Sequence, residues 1–452
     1  MRAGWRRLLA LAGLLAGCHR AAMPPRPDGA AVVITAETQD DGISTVPEVE
    51  PNNTLPTAQL LAVTATTPAA VAGAIAVPPA PGKRDVDLYR VDVPGPDAGV
   101  APSGGDAGAV VVSPPRFLLR ADLRPAVPGT AATLEVLDAT GHVLVAANGQ
   151  PGEAISVPNL AARAGSFYLR VRAAGTDAGH ETTAGGYRLV VHLVPFDTGA
   201  EIEPNGDAAH ATELAPGGEA VGYLGWRHDQ DWYRLPTAGL AEGSVLSVDL
   251  DPLPEVAVTL QLYGADAHKL TEARGRKGER VVLRNVRIPA ADPYMFVVVR
   301  ADVGFSADAR YNLRPRTDLP KAGTEAEPND DQAHAQTIGD GTVVGYLARG
   351  DVDFFRYSTD GMALLDLEVT PPERGGVEIE LTREDNTLLA RAASARHAPA
   401  RITGQPIPGG PILIRVVPRH GAIDPDDPYR LTVTSRPAPA PGDPPPQPGT
   451  TE

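Results

Sequence analysis

Short runs of alternating hydrophobic and polar residues recur along most of the chain, and Gly, Pro or Asp separate one run from the next. In one such run, Tyr89, Val91 and Val93 alternate with Arg90 and Asp92. A period of two is typical of a strand that buries one face, and long helical periodicity is almost lacking. Regular short strands between turn residues predict antiparallel β-sandwiches. The fold class predicted from the pattern is therefore all-β.

Two acidic phrases recur three times in the same order. The first phrase, Glu-x-Glu-Pro-Asn, begins at Glu48, Glu201 and Glu325. The second phrase, Asp-x-Asp, opens a predicted strand and lies at 85–87, 229–231 and 351–353. A period of roughly 120–150 residues is too long for a solenoid repeat and fits tandem copies of one domain. The chain is therefore predicted to contain three related domains.

The repeats divide the chain into segments. The predicted order is an export signal (1–17), a disordered tether (18–46), three domains (47–195, 200–316 and 323–436) and a disordered Pro-rich tail (437–452). The first domain carries a Gly/Ala/Asp-rich insertion at 94–115, which is predicted to be a surface loop. An apolar pair three residues apart follows each first phrase (Ala58 and Leu61 in the first copy) and predicts one helical turn there.

The amino-terminal residues have the features of an export signal. Three arginines precede an apolar stretch, Leu8–Ala16, that is too short to span a bilayer. The run that ends at Cys18 resembles the lipobox of bacterial lipoproteins, which implies cleavage before Cys18 and acylation of its thiol. His19 in place of Asp favours the outer membrane. We expect a lipid-anchored protein of the cell envelope; an ordinary signal peptide is the alternative.

Composition limits the partners. The formal net charge is −16, which argues against nucleic acid and against attraction to anionic lipid, and is compatible with cations and basic partners. Cys18 is the only cysteine, so no disulfide forms within one chain. Each domain must therefore be held together by its core and by any ion that it binds.

The ordered set of motifs is similar to a known module. Glu-Pro-Asn, Ala-x-x-Leu, Gly, Asp-x-Asp-aromatic, a hairpin, an aliphatic strand and a Tyr-x-Leu strand follow one another in each copy. This order resembles the bacterial pre-peptidase C-terminal domain, a module similar to the collagen-binding domains of clostridial collagenases, over residues 45–436. The resemblance implies jelly-roll-like β-sandwiches that are appended to exported proteins and often bind Ca²⁺ near their amino-terminal segment.

The acidic phrases supply the oxygen ligands that Ca²⁺ prefers. The predicted ligands are Glu48, Glu50, Asn52, Asp85 and Asp87 in the first copy, Glu201, Glu203, Asn205, Asp229 and Asp231 in the second, and Glu325, Glu327, Asn329, Asp330, Asp351 and Asp353 in the third. Gly206 replaces Asp330 in the second copy, so the third copy is the strongest candidate. In the alternative interpretation, the phrases only cap turns and strand ends. Converging carboxylates would repel one another without a cation, which favours an ion if they meet.

An enzyme is not expected. The chain contains no Gly-x-Ser-x-Gly, His-Glu-x-x-His or phosphate-loop motif. Asp229 and Asp231 lie two apart on one predicted strand and are not the opposed acids of a glycosidase. His210 and His334 are equivalent in two copies only and are interpreted as surface residues.

The remaining predictions are a binding module and a spacer. Trp232 and its equivalents Leu88 and Phe354 lie on the strand face opposite the core tyrosine. Trp232 is a possible platform for a protein or polysaccharide partner, although packing under a loop or against the neighbouring domain is the more common role of such a residue. We expect non-catalytic binding or display modules; a structural spacer of the envelope is the alternative.

Overall fold

The computed structural model describes residues 41–75, 85–95, 116–174, 185–196, 200–215, 217–394, 398–419 and 425–438. The predicted export signal with Cys18, most of the tether, nearly all of the 94–115 insertion and nearly all of the tail lie outside these residues. Within the described part of the chain, no helix is long and apolar enough to cross a membrane.

The first sandwich pairs the sheet β1-β3-β10-β5-β8 with the sheet β2-β4-β9-β6-β7. A single turn of 3₁₀ helix, Leu55–Thr57, precedes β2. The strands are β1 (Thr45–Pro47), β2 (Gln59–Leu60), β3 (Ala69–Ile75), β4 (Val86–Val93), β5 (Phe117–Pro125), β6 (Ala132–Leu137), β7 (Val143–Asn148), β8 (Ile155–Ala162), β9 (Gly165–Ala173) and β10 (Gly185–Pro195).

The second sandwich repeats this topology with the sheets β12-β19-β14-β17 and β11-β13-β18-β15-β16. Its strands are β11 (Thr212–Glu213), β12 (Ala220–Leu224), β13 (Gln230–Pro236), β14 (Val245–Leu250), β15 (Ala257–Tyr263), β16 (Lys269–Arg274), β17 (Val281–Arg287), β18 (Tyr294–Val303) and β19 (Ser306–Asp318).

The third sandwich has the sheets β21-β28-β23-β26 and β20-β22-β27-β24-β25. Its strands are β20 (Gln336–Thr337), β21 (Gly341–Gly345), β22 (Asp353–Thr359), β23 (Ala363–Thr370), β24 (Gly376–Arg383), β25 (Leu388–Ala393), β26 (Ala400–Ile407), β27 (Gly410–Arg419) and β28 (Tyr429–Pro437). The predicted all-β class with three tandem jelly-roll-like antiparallel sandwiches is confirmed. The predicted domain limits 47, 316 and 436 each fall within a strand, namely β1, β19 and β28.

Each sandwich encloses its own hydrophobic core. The three cores draw on residues 61–193, 214–313 and 343–433, and both sheets of a sandwich contribute to each. In β4 the side chains of Tyr89, Val91 and Val93 are buried while Asp92 is exposed, as the period of two predicts. Burial of one large apolar side chain stabilises a fold by about 1.5–3 kcal/mol, so these faces fix which side of each strand points inward.

The helical turn predicted over each apolar pair is wrong, although in the first copy the 3₁₀ turn Leu55–Thr57 ends just before Ala58. The segment instead forms a two-residue strand that pairs in parallel with the strand of the second phrase: β2 with β4, β11 with β13 and β20 with β22. The amide of Leu61 then donates to the carbonyl of Arg90 at 2.9 Å. One isolated helical turn is costly to nucleate, whereas an extended segment at the sheet edge obtains backbone partners at once.

Consecutive sandwiches meet through the first phrases. Glu203 forms a single parallel bridge to Leu160 of β8, and Glu327 forms the same bridge to Val286 of β17. β8 and β17 are the last strands of their sheets. Each of these phrases therefore lies between its own sandwich and the edge strand of the preceding one.

Candidate metal centres

The two acidic phrases of each copy meet in space. In the second copy, Glu201, Glu203 and Asp231 offer carboxylate oxygens that lie within 4.8 Å of one another. We call this group the second acidic triad. The first acidic triad is Glu48, Glu50 and Asp87, and the third is Glu325, Glu327 and Asp353.

A main-chain hydrogen bond joins the two phrases. The amide of Trp232, which follows Asp231, donates to the carbonyl oxygen of Asn205 at 3.0 Å. The equivalent bonds are Leu88 to Asn52 at 3.2 Å and Phe354 to Asn329 at 2.9 Å. The Glu-Pro peptide is cis in all three copies. The recurring main-chain hydrogen bond brings the two phrases together in the same way three times.

An asparagine and a tyrosine organise the second triad. Asn205 donates from Nδ2 to Oε2 of Glu201 at 2.7 Å and from its amide to Oε2 of Glu203 at 2.8 Å. The hydroxyl of Tyr311 donates to Oδ2 of Asp231 at 2.5 Å. Oε1 of Glu201 also accepts from Nδ2 of Asn159 and from the amide of Tyr223, whereas Oδ1 of Asp231 has no hydrogen-bond partner and is left to face a ligand.

The amide and tyrosine contacts recur in both other copies and the Nδ2 contact recurs in the first, whereas Nδ2 of Asn329 has no hydrogen-bond partner. In the first triad, Nδ2 of Asn52 donates to Oε1 of Glu48 at 2.7 Å and the hydroxyl of Tyr187 donates to Oδ2 of Asp87 at 2.5 Å. In the third, the amide of Asn329 donates to Oε2 of Glu327 at 2.8 Å and Tyr429 donates to Oδ2 of Asp353 at 2.6 Å. The capping bonds of the alternative interpretation are therefore present, but they do not use all of the buried oxygens.

One pair of oxygen atoms is buried and has no hydrogen-bond partner in every copy. The pair is Oδ1 of the motif asparagine and Oδ1 of the second aspartate, and its members are Asn52 and Asp87, Asn205 and Asp231, and Asn329 and Asp353. These six side chains are at most 1% exposed. Buried polar atoms are normally paired, so an orphan that repeats at equivalent positions indicates an ion or a water. Carboxylate and amide oxygens fit a hard cation such as Ca²⁺.

Burial dominates the electrostatics of the triads. It raises the pKa of Glu201 and Asp231 well above the usual range, and the charges of their neighbours add to the effect. Burial raises the pKa of Glu203 and of Glu327 to about 7. It raises the pKa of Asp87 to about 8, against the hydrogen bond from Tyr187. Without a cation, these groups therefore retain protons at pH values where ordinary carboxyls are ionised.

The first aspartate of each second phrase has a different position. Asp229 accepts a hydrogen bond from the amide of Gly225 at 2.6 Å, and Asp351 accepts one from the amide of Ala348 at 2.9 Å. These residues and Asp85 lie outside the triads. Asp229 and Asp351 therefore each hold the loop before their strand, as the capping interpretation predicts for them.

Asp330 also lies outside the third triad and is exposed. Its charge adds to burial in raising the pKa of Glu327. Gly206, which replaces it in the second copy, therefore removes no member of the second triad. A cavity of about 30 Å³ adjoins the third triad and is lined by Glu325, Glu327 and Asp351 among others, which is room for one small cation or water.

The triads differ in how they are covered. The second and third triads are buried at the junctions between sandwiches. In the first triad, Asp87 is buried, Glu48 is half-buried and Glu50 is exposed. The first phrase therefore resembles the other two in its internal contacts but lacks their cover in the described residues.

Sequence reasoning missed two sets of site residues. The sequence places Tyr187, Tyr311 and Tyr429 only in the Tyr-x-Leu strand, yet their hydroxyls bind the triads. The second set is the glycines that face these tyrosines. In the second copy, an added Cβ at Gly222 would lie 2.7 Å from Cγ of Glu201 and closer still to the Tyr311 hydroxyl. The recurrence of Gly and of Tyr-x-Leu in every copy was the available signal.

Trp232 packs within its own sandwich. Its ring centroid lies 5.0 Å from that of Tyr263 and 5.4 Å from that of Phe296. Trp232 is half-buried, and the side chain of Arg234 stacks on the nearby Tyr294 ring at 4.1 Å. The residue thus contacts aromatic rings of its own sheet.

The comparisons with known proteins leave the family open. No protein-family model matches the chain, and no curated protein matches it. The similar solved structures include the M60 catalytic domain with the CBM51-1 and CBM51-2 domains of Clostridium perfringens ZmpB, at 11% identity and a TM-score of 0.15, over 51% of this chain and 33% of that chain. The PBSX exported protein XepA follows at 9% identity and 0.17, over 48% and 86%. The CUB1-EGF-CUB2 domain of human MASP-1/3 gives 10% and 0.15, over 54% and 99%.

The chain thus spans about a third of the length of the first of these structures. TM-scores this low carry no argument about family or activity. The fold class rests on the sheets and cores described above.

Proposed function

We propose that the chain is a lipid-anchored, non-catalytic protein of the cell envelope, built from three sandwiches similar to pre-peptidase C-terminal domains and stabilised by Ca²⁺. The sandwiches serve as display and binding modules. The observation that carries the proposal is the threefold recurrence of an acidic triad with two orphaned, buried oxygens. The lipobox-like run before Cys18 supports the anchor.

The residues that would hold the ion follow from the contacts. In the second copy these are the carboxylates of Glu201, Glu203 and Asp231 and the amide oxygen of Asn205. A bound Ca²⁺ supplies the positive charge that lets the buried carboxylates ionise. The chain itself orients the ligands through Asn205 and Tyr311 and excludes water by burying them.

A structural ion suits these sites better than catalysis. Glu201 and Asp231 are 1% and 0% exposed, so a substrate has no access to them. The exposed histidines His210 and His334 each bind a neighbouring aspartate, with Nδ1–Oδ1 distances of 2.8 and 2.9 Å to Asp207 and Asp331. These pairs are local contacts on the surface.

A second function, ligand binding by the second sandwich, is favoured by one observation. Trp232, Tyr263 and Tyr294 form a half-buried aromatic group with Phe296 on the outer face of one sheet. Such a group is able to stack on a sugar or on a peptide side chain. The spacer alternative predicts that this group only stabilises the sheet.

Thermal unfolding tests the calcium proposal. We expect the melting temperature to rise in Ca²⁺ and to fall in EGTA. Asp231→Asn, which removes a buried ligand charge, should reduce the Ca²⁺-dependent shift, whereas Glu242→Gln at an exposed position of the same sandwich should leave it unchanged. Identical melting temperatures in Ca²⁺ and in EGTA would refute the calcium proposal.

A pull-down from the envelope fraction tests display. The chain is used as bait with and without Ca²⁺, beside a Trp232→Ala variant. Partners lost only with the variant support the aromatic group as a binding surface, whereas partners retained by the variant assign binding elsewhere.

A further inference from the structure

The junctions between sandwiches use the same main-chain contacts twice. At the first junction, the amide of Ala161 donates to the carbonyl of Glu203 at 2.9 Å and the amide of Glu203 donates to the carbonyl of Asn159 at 3.2 Å. At the second junction, the amide of Arg287 donates to the carbonyl of Glu327 at 2.7 Å, and the amide of Glu327 donates to the carbonyl of Asn285 at 3.0 Å. Each first phrase thus pairs with an edge strand through one hydrogen bond in each direction. We call the first phrase the acceptor segment and the edge strands β8 and β17 the donor strands.

A side-chain ion pair repeats at both junctions as well. Arg227 binds Glu153 at 2.8 Å, and Arg349 binds Glu279 at 2.9 Å. Each arginine lies two residues before the first aspartate of its second phrase, and each glutamate lies two residues before the donor strand. Partly exposed pairs of this kind contribute little energy, so their repetition points to recognition rather than to stability.

The third sandwich has an equivalent edge strand, β26, that lacks these groups. The bulge that falls at Asn159 in β8 and at Asn285 in β17 falls at Gly404 in β26. By the same register, Pro406 occupies the position of Ala161 and Arg287, and Ala398 occupies that of the glutamate. Pro406 is exposed and has no N–H to donate, so β26 cannot form the junction bond.

In the first copy, the acceptor segment has no donor strand among the described residues. Among the described residues, no main-chain group bonds to the amide or carbonyl of Glu50, which is equivalent to Glu203 and Glu327. Beside it, Val46 is 45% exposed and Val49 is 61% exposed, although the equivalent of Val49 in the second copy, Ile202, is half-buried. The surface that the junctions cover elsewhere is therefore open here.

We propose that the first phrase, Glu48–Asn52, is a docking edge for the edge strand of a β-sandwich in another protein, and that Pro406 prevents a second copy of this chain from occupying it. The partner presents what β8 presents: an extended edge with a bulged residue, such as Asn, whose carbonyl accepts from Glu50, and a main-chain N–H two residues later. The mode is strand addition to an open sheet edge, continuous with an interface that the chain already uses twice. It does not depend on a bound cation.

A variant of this chain can serve as the docking partner in a test, if its β26 regains the groups that β8 and β17 present. The donor groups are restored by Ala398→Glu, Gly404→Asn and Pro406→Ala in one variant. Gly404 has a φ of +60°, and Asn285 holds +49° at the equivalent position, so Asn is tolerated there. An added Cβ at Gly404 meets only the far end of Arg436, at 3.6 Å. Cys18→Ser is included throughout to prevent acylation.

Sedimentation velocity across a concentration series measures the outcome for the full-length chain. We expect the unrestored chain to be monomeric and the donor-restored variant to form head-to-tail dimers and larger species. Adding Glu50→Pro, which deletes the main-chain N–H that would donate to the docked strand, should return the variant to monomer, whereas Glu50→Ala, which loses the same carboxylate but keeps the N–H, should not.

Three results would overturn the proposal. They are a donor-restored variant that stays monomeric at every concentration, assembly that Glu50→Pro does not reduce, or an unrestored chain that already assembles through Glu50. Because Glu50→Ala removes a triad carboxylate without affecting docking, loss of Ca²⁺ binding and loss of docking are told apart.

Discussion

The buried triads predict an unusual dependence of stability on pH. The perturbation is a change from pH 4.5 to pH 7 in protein freed of divalent cations. Burial raises the pKa of Glu203 from an ordinary value of 4.5 to about 7. The folded state therefore holds a proton over this interval that the unfolded state releases, so the free energy of unfolding falls as pH rises. At 1.36 kcal/mol for each pKa unit, Glu203 alone accounts for about 3 kcal/mol.

Bound Ca²⁺ reverses the direction in which the free energy of unfolding changes with pH. The ion binds the ionised carboxylates, so protons compete with it and the stability of the loaded protein falls as pH falls. The assay is urea unfolding followed by tryptophan fluorescence, since Trp226 and Trp232 both lie in the second sandwich and Trp5 is the remaining tryptophan. Cation-free protein and protein in Ca²⁺ are compared at a series of pH values.

Two variants identify the group responsible. Glu203→Gln should make the pH dependence of the cation-free protein less steep by the share of that one group, whereas Glu242→Gln, at an exposed position of the same sandwich, should leave it unchanged. A cation-free unfolding midpoint that stays level or rises between pH 4.5 and 7 would refute the reasoning.

Further predictions concern single side chains. Gly222→Ala should destabilise the second sandwich by about 2 kcal/mol because the Tyr311 hydroxyl and Glu201 occupy the space, while Gly339→Ala, with nothing within 4 Å of its added Cβ, should not; thermal unfolding compares the two. Tyr311→Phe should cost about 1–3 kcal/mol by unpairing buried Asp231. Tyr233→Phe should cost less in the same urea titration, because the third copy has Phe355 at that position; equal losses would contradict the assigned role of Tyr311.

Much of the fold could be predicted because its signal is local. The alternation in β4 follows from burial of one strand face, and the three copies follow from repeated phrases. The pairing of Gln59–Leu60 with β4 could not be predicted, since an apolar pair three residues apart fits either one helical turn or an extended edge. Only the neighbouring strand decides between them.

The site was predictable in its members but not in its roles. Sequence spacing grouped Asp229 with Asp231, yet only Asp231 belongs to the triad, because Asp229 precedes β13 and its carboxylate is held by the amide of Gly225. The junction contacts of Asn159 could not be predicted from the sequence either, since they join segments of different sandwiches. Such contacts depend on how whole domains meet, which no local pattern records.

The most direct test of the account is the number of Ca²⁺ ions bound by one chain. Purified protein is treated with EGTA, dialysed against Ca²⁺ and analysed for metal content. One ion for each acidic triad is expected, with one ion fewer for Asp231→Asn. Protein that retains no Ca²⁺ after dialysis would contradict the central claim that the triads are metal centres.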